Sequence, residues 1–342
     1  MFRPKEENEI FGAPYPAQRS YPSSPVKVLD APCFSNDYYY NVLDWSTLNC
    51  VGIGLKNTAY IYNPASACVA KLLQLPDDQE ISHFSFNKEG TLASLGLTSG
   101  LVQIWDVQAQ KLVRSLTGHT SRSCAASWTT KLLSTGGKDS QIIHRDLRMN
   151  QTIVAKSIAH RQEVCGLKWS PDETQLASGS NDNRVMVWDV KGLLEPDFCA
   201  NGHRAAVKAI AWSPQKRGLL ATGGGTADRT IKLWNTQTRS LESSTYTGSQ
   251  VCALVYAKDS GELVSTHGYS ENQINIWSQP RMTLLHTIKS HSQRVLQICA
   301  SPDGQTVLTG SADETLRFWN LFSKANKAST PNLTYAMLNA IR

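Results

Sequence analysis

Four histidines stand at a near-constant remove from four aspartates: His119 with Asp139, His160 with Asp182, His203 with Asp228, and His291 with Asp313, 20 to 25 residues apart. Imidazole and carboxylate together can ligate a metal or run acid–base chemistry. Each pair belongs to its own segment, however, so no cluster with ligand spacing arises. The expectation is a structural one: each His bonds its own Asp, satisfying two polar groups whose unpaired burial would cost about 1 to 3 kcal/mol apiece. The eight cysteines (Cys33, Cys50, Cys68, Cys124, Cys165, Cys199, Cys252 and Cys299) lie far apart with no Cys-x-x-Cys pair, and read as reduced, buried small hydrophobes rather than zinc or redox ligands. Gly223-Gly224-Gly225-Thr226 reads as a tight strand-to-strand turn, and no nucleophile elbow or phosphate loop ahead of a helix occurs. No catalytic residue, metal site or cofactor is therefore expected, and the chain does not read as an enzyme.

The elements that hold these residues repeat. Ala-His-Arg-Gln-Glu-Val-Cys-Gly-Leu-Lys-Trp-Ser-Pro-Asp from Ala159, followed by Leu-Ala-Ser-Gly-Ser-Asn-Asp-Asn-Arg-Val-Met-Val-Trp-Asp ending at Asp189, reads as three short strands joined by turns. His160, Asp182 and the strand-end Trp188 make it resemble a WD-repeat unit, a blade of four antiparallel strands. Its terminal position recurs at Tyr62, Trp105, Arg145, Trp188, Trp234, Trp277 and Trp319, in steps of 43, 40, 43, 46, 43 and 42 residues. A second mark, just before the first turn, recurs in phase at Trp45, Phe86, Trp128, Trp169, Trp212, Tyr256 and Ala300. The expected fold is all-β: a seven-bladed WD-repeat β-propeller over residues 26–322, with a disordered tail at 1–25 and a second at 323–342. Val26 to Pro32 reads as an outer strand with no earlier blade of its own, so it must join the last blade and close the ring.

Net charge is +6, yet the 34 Lys and Arg are scattered singly, which speaks against a nucleic-acid partner. No apolar run approaches a membrane span, and the first residues lack a signal segment, so a soluble intracellular chain is expected. Ser24-Pro25-Val26-Lys27 suits a proline-directed kinase; Ser24 is a candidate phosphorylation site, with a plain turn as the alternative.

One position can be followed around the ring. Six residues before the second mark stand Tyr39, Glu80, Arg122, Glu163, Ala206, Gln250 and Arg294, all entering the innermost strand on one face. Asn181, Thr226 and Ala312, just ahead of the turn Asp, face the same side. This mixture of amide, hydroxyl, carboxylate and guanidinium suits a short polar peptide, with a merely hydrated rim as the alternative. Blade six has Thr247-Gly248-Ser249-Gln250 in place of the His segment, and blade three has Ile143-His144-Arg145-Asp146 in place of the Trp ending. Such departures are where function is to be sought.

KVLDAP at Lys27, NDYYYNVLDWS at Asn36, HRQEVCGLKWS at His160, AVKAIAWSP at Ala206, GGGTADR at Gly223, LVSTHGYSENQI at Leu263 and ADETLRFWNLFSK at Ala312 together resemble the Fizzy and Fizzy-related activators of the anaphase-promoting complex, a ubiquitin ligase. HRQEVCGLKWS and STHGYS lean toward the Fizzy-related branch. The resemblance implies a receptor for destruction signals (degrons), partnered by substrates and by the ligase, present in nucleus and cytoplasm, and monomeric outside the complex. It implies that Asp37, Asn181, Asn183, Thr226, Gln250 and Arg294 hold a Lys-Glu-Asn degron. An Arg-x-x-Leu degron is expected between the first and last blades, with Asp30 and Glu314 flanking the Arg and Leu29 at the apolar end. On the residues alone, Asp30 is a turn residue and Glu314 a solvated charge. The final Ile341-Arg342 looks like the family's tail, which docks on a tetratricopeptide-repeat subunit. The family's Asp-Arg-Phe/Tyr-Ile-Pro segment does not occur among the 342 residues. Two readings therefore stay open: a ligase activator, and a propeller scaffold or inhibitor that binds degrons without activating.

Overall fold

The computed structural model describes residues 20–322. Its strands, β1 to β28 in chain order, form seven sheets of four. Blade four shows the plan: β14 (Val164–Trp169), β15 (Gln175–Ser180), β16 (Arg184–Asp189) and β17 (Phe198–Asn201) pair antiparallel in sequence order. β14 to β16 are almost wholly buried because both of their faces meet neighbouring blades, which explains their unbroken apolar and small residues. The outermost strands are mostly exposed, as in Ile153–Ser157 and Ser240–Tyr246.

Closure follows from the leftover outer strand. β1 (Lys27–Asp30) pairs antiparallel with β28 (Thr315–Asn320), from Lys27 opposite Phe318 to Asp30 opposite Thr315, and completes the blade of β26 (Val295–Ala300), β27 (Thr306–Ser311) and β28. Without it β28 would present an unpaired edge. Leu308, Leu316 and Phe318 of this blade share one apolar cluster with Val51, Ile53 and Tyr62 of the first, so the seam is packed like any other blade boundary.

The four His–Asp pairs form. Nδ1 of His119, His160 and His291 lies 3.0, 3.1 and 2.9 Å from the carboxylate of Asp139, Asp182 and Asp313, and His203 meets Asp228 likewise. With the proton on Nδ1 given to the Asp, Nε2 accepts from a hydroxyl on the second strand of its blade: Thr135, Ser178, Thr222 or Thr309, at 2.7–2.9 Å. The blade's Trp donates to the same hydroxyl, as in Trp188 to Ser178 at 2.9 Å and Trp319 to Thr309 at 3.0 Å. The carboxylate also caps the chain, Asp182 accepting from the Arg161 N–H at 2.9 Å and the Arg184 N–H at 3.0 Å. Burial opposes its charge, but the His160 hydrogen bond and those N–H groups outweigh it and hold the Asp182 pKa at about 2.

Both departing blades keep the hydroxyl and change its partners. In blade three the fully buried Arg145 donates to Thr135 at 2.5 Å, where blades four to seven use Trp. In blade six Trp277 donates to Ser265 at 2.8 Å, and Ser265 meets Nε2 of His267 at 2.7 Å, so the imidazole comes from the second strand (Glu262–His267) instead of the connecting loop. Blade three's departure lies on its buried third strand (Ile142–Arg145), whereas the segment that replaces the His loop in blade six ends in the rim residue Gln250. For the buried hydroxyl both departures have a structural account, two other ways to satisfy it, and in blade three that account covers the whole departure.

Three further expectations change. Order begins before residue 25, because Tyr21 stacks on His286 at 5.3 Å and packs against the core at blades six and seven. Only Cys124, Cys165, Cys252 and Cys299 are buried; Cys33 and Cys68, on the outer surface, are exposed. Gly223 and Gly224 end a strand (Leu219–Gly224) instead of forming a turn. A Cβ at Gly223 would lie 2.3 Å from Val251 of the next blade, and one at Gly224 only 1.9 Å from the Asp228 carboxylate, so these positions have no room for a side chain.

Candidate functional site

The innermost strands all enter from one face, called the upper face here, and the turns between second and third strands share it. Each such turn has a residue in the left-handed region: Lys56, Gly100, Ser140, Asn183, Arg229, Asn272 and Glu314, with φ between 51 and 87°. Asn183 and Glu314 thus occupy the same corner of blades four and seven. Seven loops deliver seven rim positions from Tyr39 to Arg294, as the spacing predicts.

The feature not foreseen is a crossing segment. Residues 31–42 separate β1 from β2 (Leu43–Trp45), whereas 75–80, 117–122 or 247–250 suffice at other blade junctions. The extra length carries Asn36 to Asn41 over the channel mouth, where it meets the blades one after another. Asn36 accepts from Arg294 of blade seven through its Oδ1, at 3.0 Å from Nε and 2.7 Å from Nη2. Asp37 accepts from Arg122 of blade three at 2.9 Å. The Tyr38 hydroxyl reaches the Val251 carbonyl of blade six at 3.2 Å and the Ala206 carbonyl of blade five at 3.4 Å. Tyr39 donates to Asn181 Oδ1 of blade four at 2.8 Å, and the Asn41 amide to the Cys124 and Cys165 carbonyls at 2.7 and 2.9 Å. The available signal was the run of three tyrosines with a connection twice the usual length.

Beneath this segment the inner strands share a second device. A β-bulge falls at Ser82, Cys124, Cys165, Lys208, Cys252 and Leu296, each four residues before its strand ends, with Asn41 at the matching place in blade one. A bulge turns its side chain aside from the ladder. Here the result is a ring below the rim in which Lys208 is the sole charged member.

Four of the residues assigned to the Lys-Glu-Asn degron form two groups, each joined to the crossing segment by hydrogen bonds. Asp37 and Asn181 belong to the first, with Arg122 bound through two N–H groups to Glu163 at 2.8 and 2.9 Å. Burial disfavours the Arg122 charge, yet Glu163 and Asp37 raise its pKa above the ordinary value, so it stays a cation. Asn183 lies two residues on from Asn181, and its N–H bonds the Ser180 carbonyl at 3.2 Å. Gln250 and Arg294 make the second group. Gln250 is 5% exposed, and its Oε1 is buried with no hydrogen-bond partner among the described residues. A Cβ at Gly268 would lie 2.6 Å from that oxygen and 3.2 Å from Arg294 Cδ, so both side chains lie against Gly268 and leave no room for a larger residue there. The Tyr269 ring lies 5.0 Å from the Arg294 guanidinium. Thr226 is exposed at the top of blade five. Asn181, bonded to Tyr39 and to Gln162 at 2.6 Å, is engaged away from Arg294.

At the seam the Ala31 N–H donates to the Glu314 carbonyl at 2.8 Å, and the Cys33 N–H to its side-chain Oε1 at 3.1 Å. Asp30 is exposed opposite Thr315, and Leu29 is half-buried opposite Leu316. The two carboxylate residues are thus neighbours on one face. Ser24 is exposed just ahead of β1, and Ile341 and Arg342 lie outside the described residues.

Residues 29–319 match the CDC20/Fizzy WD40 domain. The chain is 49% identical to the B-type cell cycle switch protein ccs52A of Medicago truncatula, covering 93% of this chain and 67% of that one. It is 47% identical to FIZZY-RELATED 2 of Arabidopsis thaliana (93% and 65%) and 42% to the anaphase-promoting complex subunit cdh1 of Dictyostelium discoideum (95% and 47%). In structure it resembles a chain of the mitotic checkpoint complex crystal structure, with a TM-score of 0.88 at 38% identity over 94% of this chain and 97% of that one. The chain spans about two thirds of the length of the plant relatives it matches. A matched domain that runs from the closing strand to the last blade, with relatives near half identical across it, places this chain in the CDC20/Fizzy family of WD40 propellers, beside the Fizzy-related proteins.

Proposed function

We propose that this chain is a substrate-recognition and activator subunit of the anaphase-promoting complex, capturing Lys-Glu-Asn degrons on the upper rim and Arg-x-x-Leu degrons at the seam of blades one and seven. The observation that carries the reading is the placing of Gln250 and Arg294 against Gly268: an amide oxygen without a partner among the described residues, near a guanidinium whose hydrogen bonds there go to the neutral oxygens of Asn36. A peptide carboxylate would replace Asn36 with a charge-assisted, two-pronged acceptor, while a peptide N–H or ammonium would supply the donor that Gln250 Oε1 lacks. Arg122 is less free to serve, being already bound to Glu163 and Asp37. Asp37, Asn181, Asn183 and Thr226 supply the remaining acceptors and donors. At the seam, Asp30 and Glu314 offer two carboxylates to an arginine, and Leu29 an apolar contact to the leucine.

The test is titration with a synthetic Lys-Glu-Asn peptide. Arg294→Ala and Gln250→Ala should each weaken binding about 10- to 100-fold, the cost of one charged or buried hydrogen bond. Unchanged affinity in both variants would refute the rim site. Removal of Ile341 and Arg342 should abolish capture of ligase subunits without touching peptide affinity. Ubiquitination reconstituted with this chain as the sole activator then separates an activator from a receptor that binds degrons unproductively.

A further inference from the structure

Lys208 is a buried charge with no obvious reason to be there. It is 4% exposed, makes no ion pair among the described residues, and stands in a ring whose other six members are uncharged. Desolvation brings its pKa down to about 8, so folding carries a cost that an apolar residue would avoid. The cavity it lines, about 80 Å3, has room for a few waters. Its Nζ donates to the Leu296 carbonyl at 3.0 Å, joining blade five to blade seven, and lies 5.6 Å from the Tyr38 ring centroid. Tyr38 is in turn the buried middle of the crossing segment, 7% exposed, and packs with Cys252, Leu296 and Ala312.

We propose that Lys208 is the positioning residue of the upper rim: its ammonium, anchored on Leu296 and set against the Tyr38 ring, fixes residues 36–41 across the channel mouth and thereby places Asn36, Asp37 and Tyr39 for the peptide. The inference deepens the degron reading and rests on it for the identity of the ligand. A cation facing a ring in a water-poor site gains more than it would at the surface. The bulge explains how a strand residue comes to point at the channel at all. Tyr38 has one neighbour on each side that reaches the rim groups: Asp37 holds Arg122, and Tyr39 holds Asn181. A shift of the ring would therefore move both, and Asn36 with its grip on Arg294 lies one residue further on.

The experiment compares the full chain with Lys208→Met, which keeps the length of the side chain and loses the charge, and with Tyr38→Leu, which removes the same contact from the other side. Hydrogen exchange of the amides at 36–41 and affinities for a Lys-Glu-Asn peptide and an Arg-x-x-Leu peptide are read for each, with strand amides reporting on global stability. Each variant should speed exchange at 36–41 and weaken the Lys-Glu-Asn peptide about tenfold, a cation–π-sized effect. Arg-x-x-Leu affinity should stay within about twofold, and the double variant should be no worse than either single one. Unchanged exchange and affinity, or equal loss for both peptides, would overturn the proposal. If one variant does not fold, the other decides. If the unaltered chain binds no Lys-Glu-Asn peptide, the degron reading fails, and exchange at 36–41 alone judges the role of Lys208.

Discussion

Blades four, five and seven obey the repeat, while blades three and six depart from it, yet all five solve one problem. Each buries a hydroxyl on its second strand, and each needs donors and an imidazole to meet it. Regular blades use the Trp indole with an Asp-bound His; blade three exchanges the indole for Arg145, and blade six draws its imidazole from His267. A deviation from a repeat is thus not in itself a mark of function. What separates the two kinds of blade is a buried imidazole without a carboxylate, which blade three carries in addition to its Asp-bound His119. His267 of blade six and His144 of blade three are held neutral by burial, with pKa values near 4, and neither has a carboxylate partner.

That contrast sets the largest expected effect. A His with its pKa lowered in the folded state binds fewer protons than the unfolded chain between about pH 6.5 and 4. Its contribution is therefore complete above about 6.5 and is lost as pH falls, at up to about 1.4 kcal/mol per group per pH unit. Asp182 of blade four behaves otherwise: its folded pKa of about 2 leaves its contribution intact above the unfolded value near 4, with loss only below that. Hydrogen exchange should show blades three and six opening between pH 6 and 4.5 while blade four stays protected. Equal protection at pH 4.5 would remove the distinction between the two kinds of blade.

The shared hydroxyl can be tested directly. Thr222→Val in regular blade five leaves His203 Nε2 and Trp234 Nε1 without their partner, and Ser265→Ala in blade six does the same to Trp277 and leaves His267 Nε2 only the Asn275 amide at 3.4 Å. Denaturant unfolding should show a cost of about 2 to 4 kcal/mol in each, since each orphans a buried indole and takes from a buried imidazole its shortest hydroxyl partner. A loss confined to Thr222→Val would mean that blade six does not depend on its hydroxyl, and the analogy would fail.

These contrasts also show which features could be read in advance. The His, Asp and terminal aromatic positions recur because the same buried hydrogen bonds must be satisfied in blade after blade, four times with a His–Asp pair, so spacing alone locates the strands and the closing role of Lys27 to Asp30. Rim positions follow from the same count, which is why Gln250 and Arg294 are reached without knowledge of the fold's interior. The crossing of Asn36 to Asn41 is different in kind. It depends on a connection whose contacts span six blades, none of them near it in sequence, and the repeat has no second copy from which to learn it. Arg145 misled for the opposite reason: a charged residue in an aromatic position looks exposed and functional until its burial is known.

Arg145 accordingly offers the smallest effect and the sharpest distinction between departure and function. Burial has already lowered its pKa to about 10, and Arg145→Met would exchange that desolvation cost for the loss of its hydrogen bonds to Thr135 and the Thr117 carbonyl. Replacing a buried charge by an apolar side chain of similar volume is often near neutral, so stability should move by about 1 kcal/mol or less in either direction. Thr135 keeps His119 as its partner, and the Arg145 hydrogen bonds, to Thr135 and Thr117, involve no rim position. Lys-Glu-Asn affinity should stay within about twofold of the unaltered chain, against the 10- to 100-fold losses expected at Gln250 and Arg294. A tenfold loss at Arg145→Met would show that blade three's irregularity reaches the rim after all.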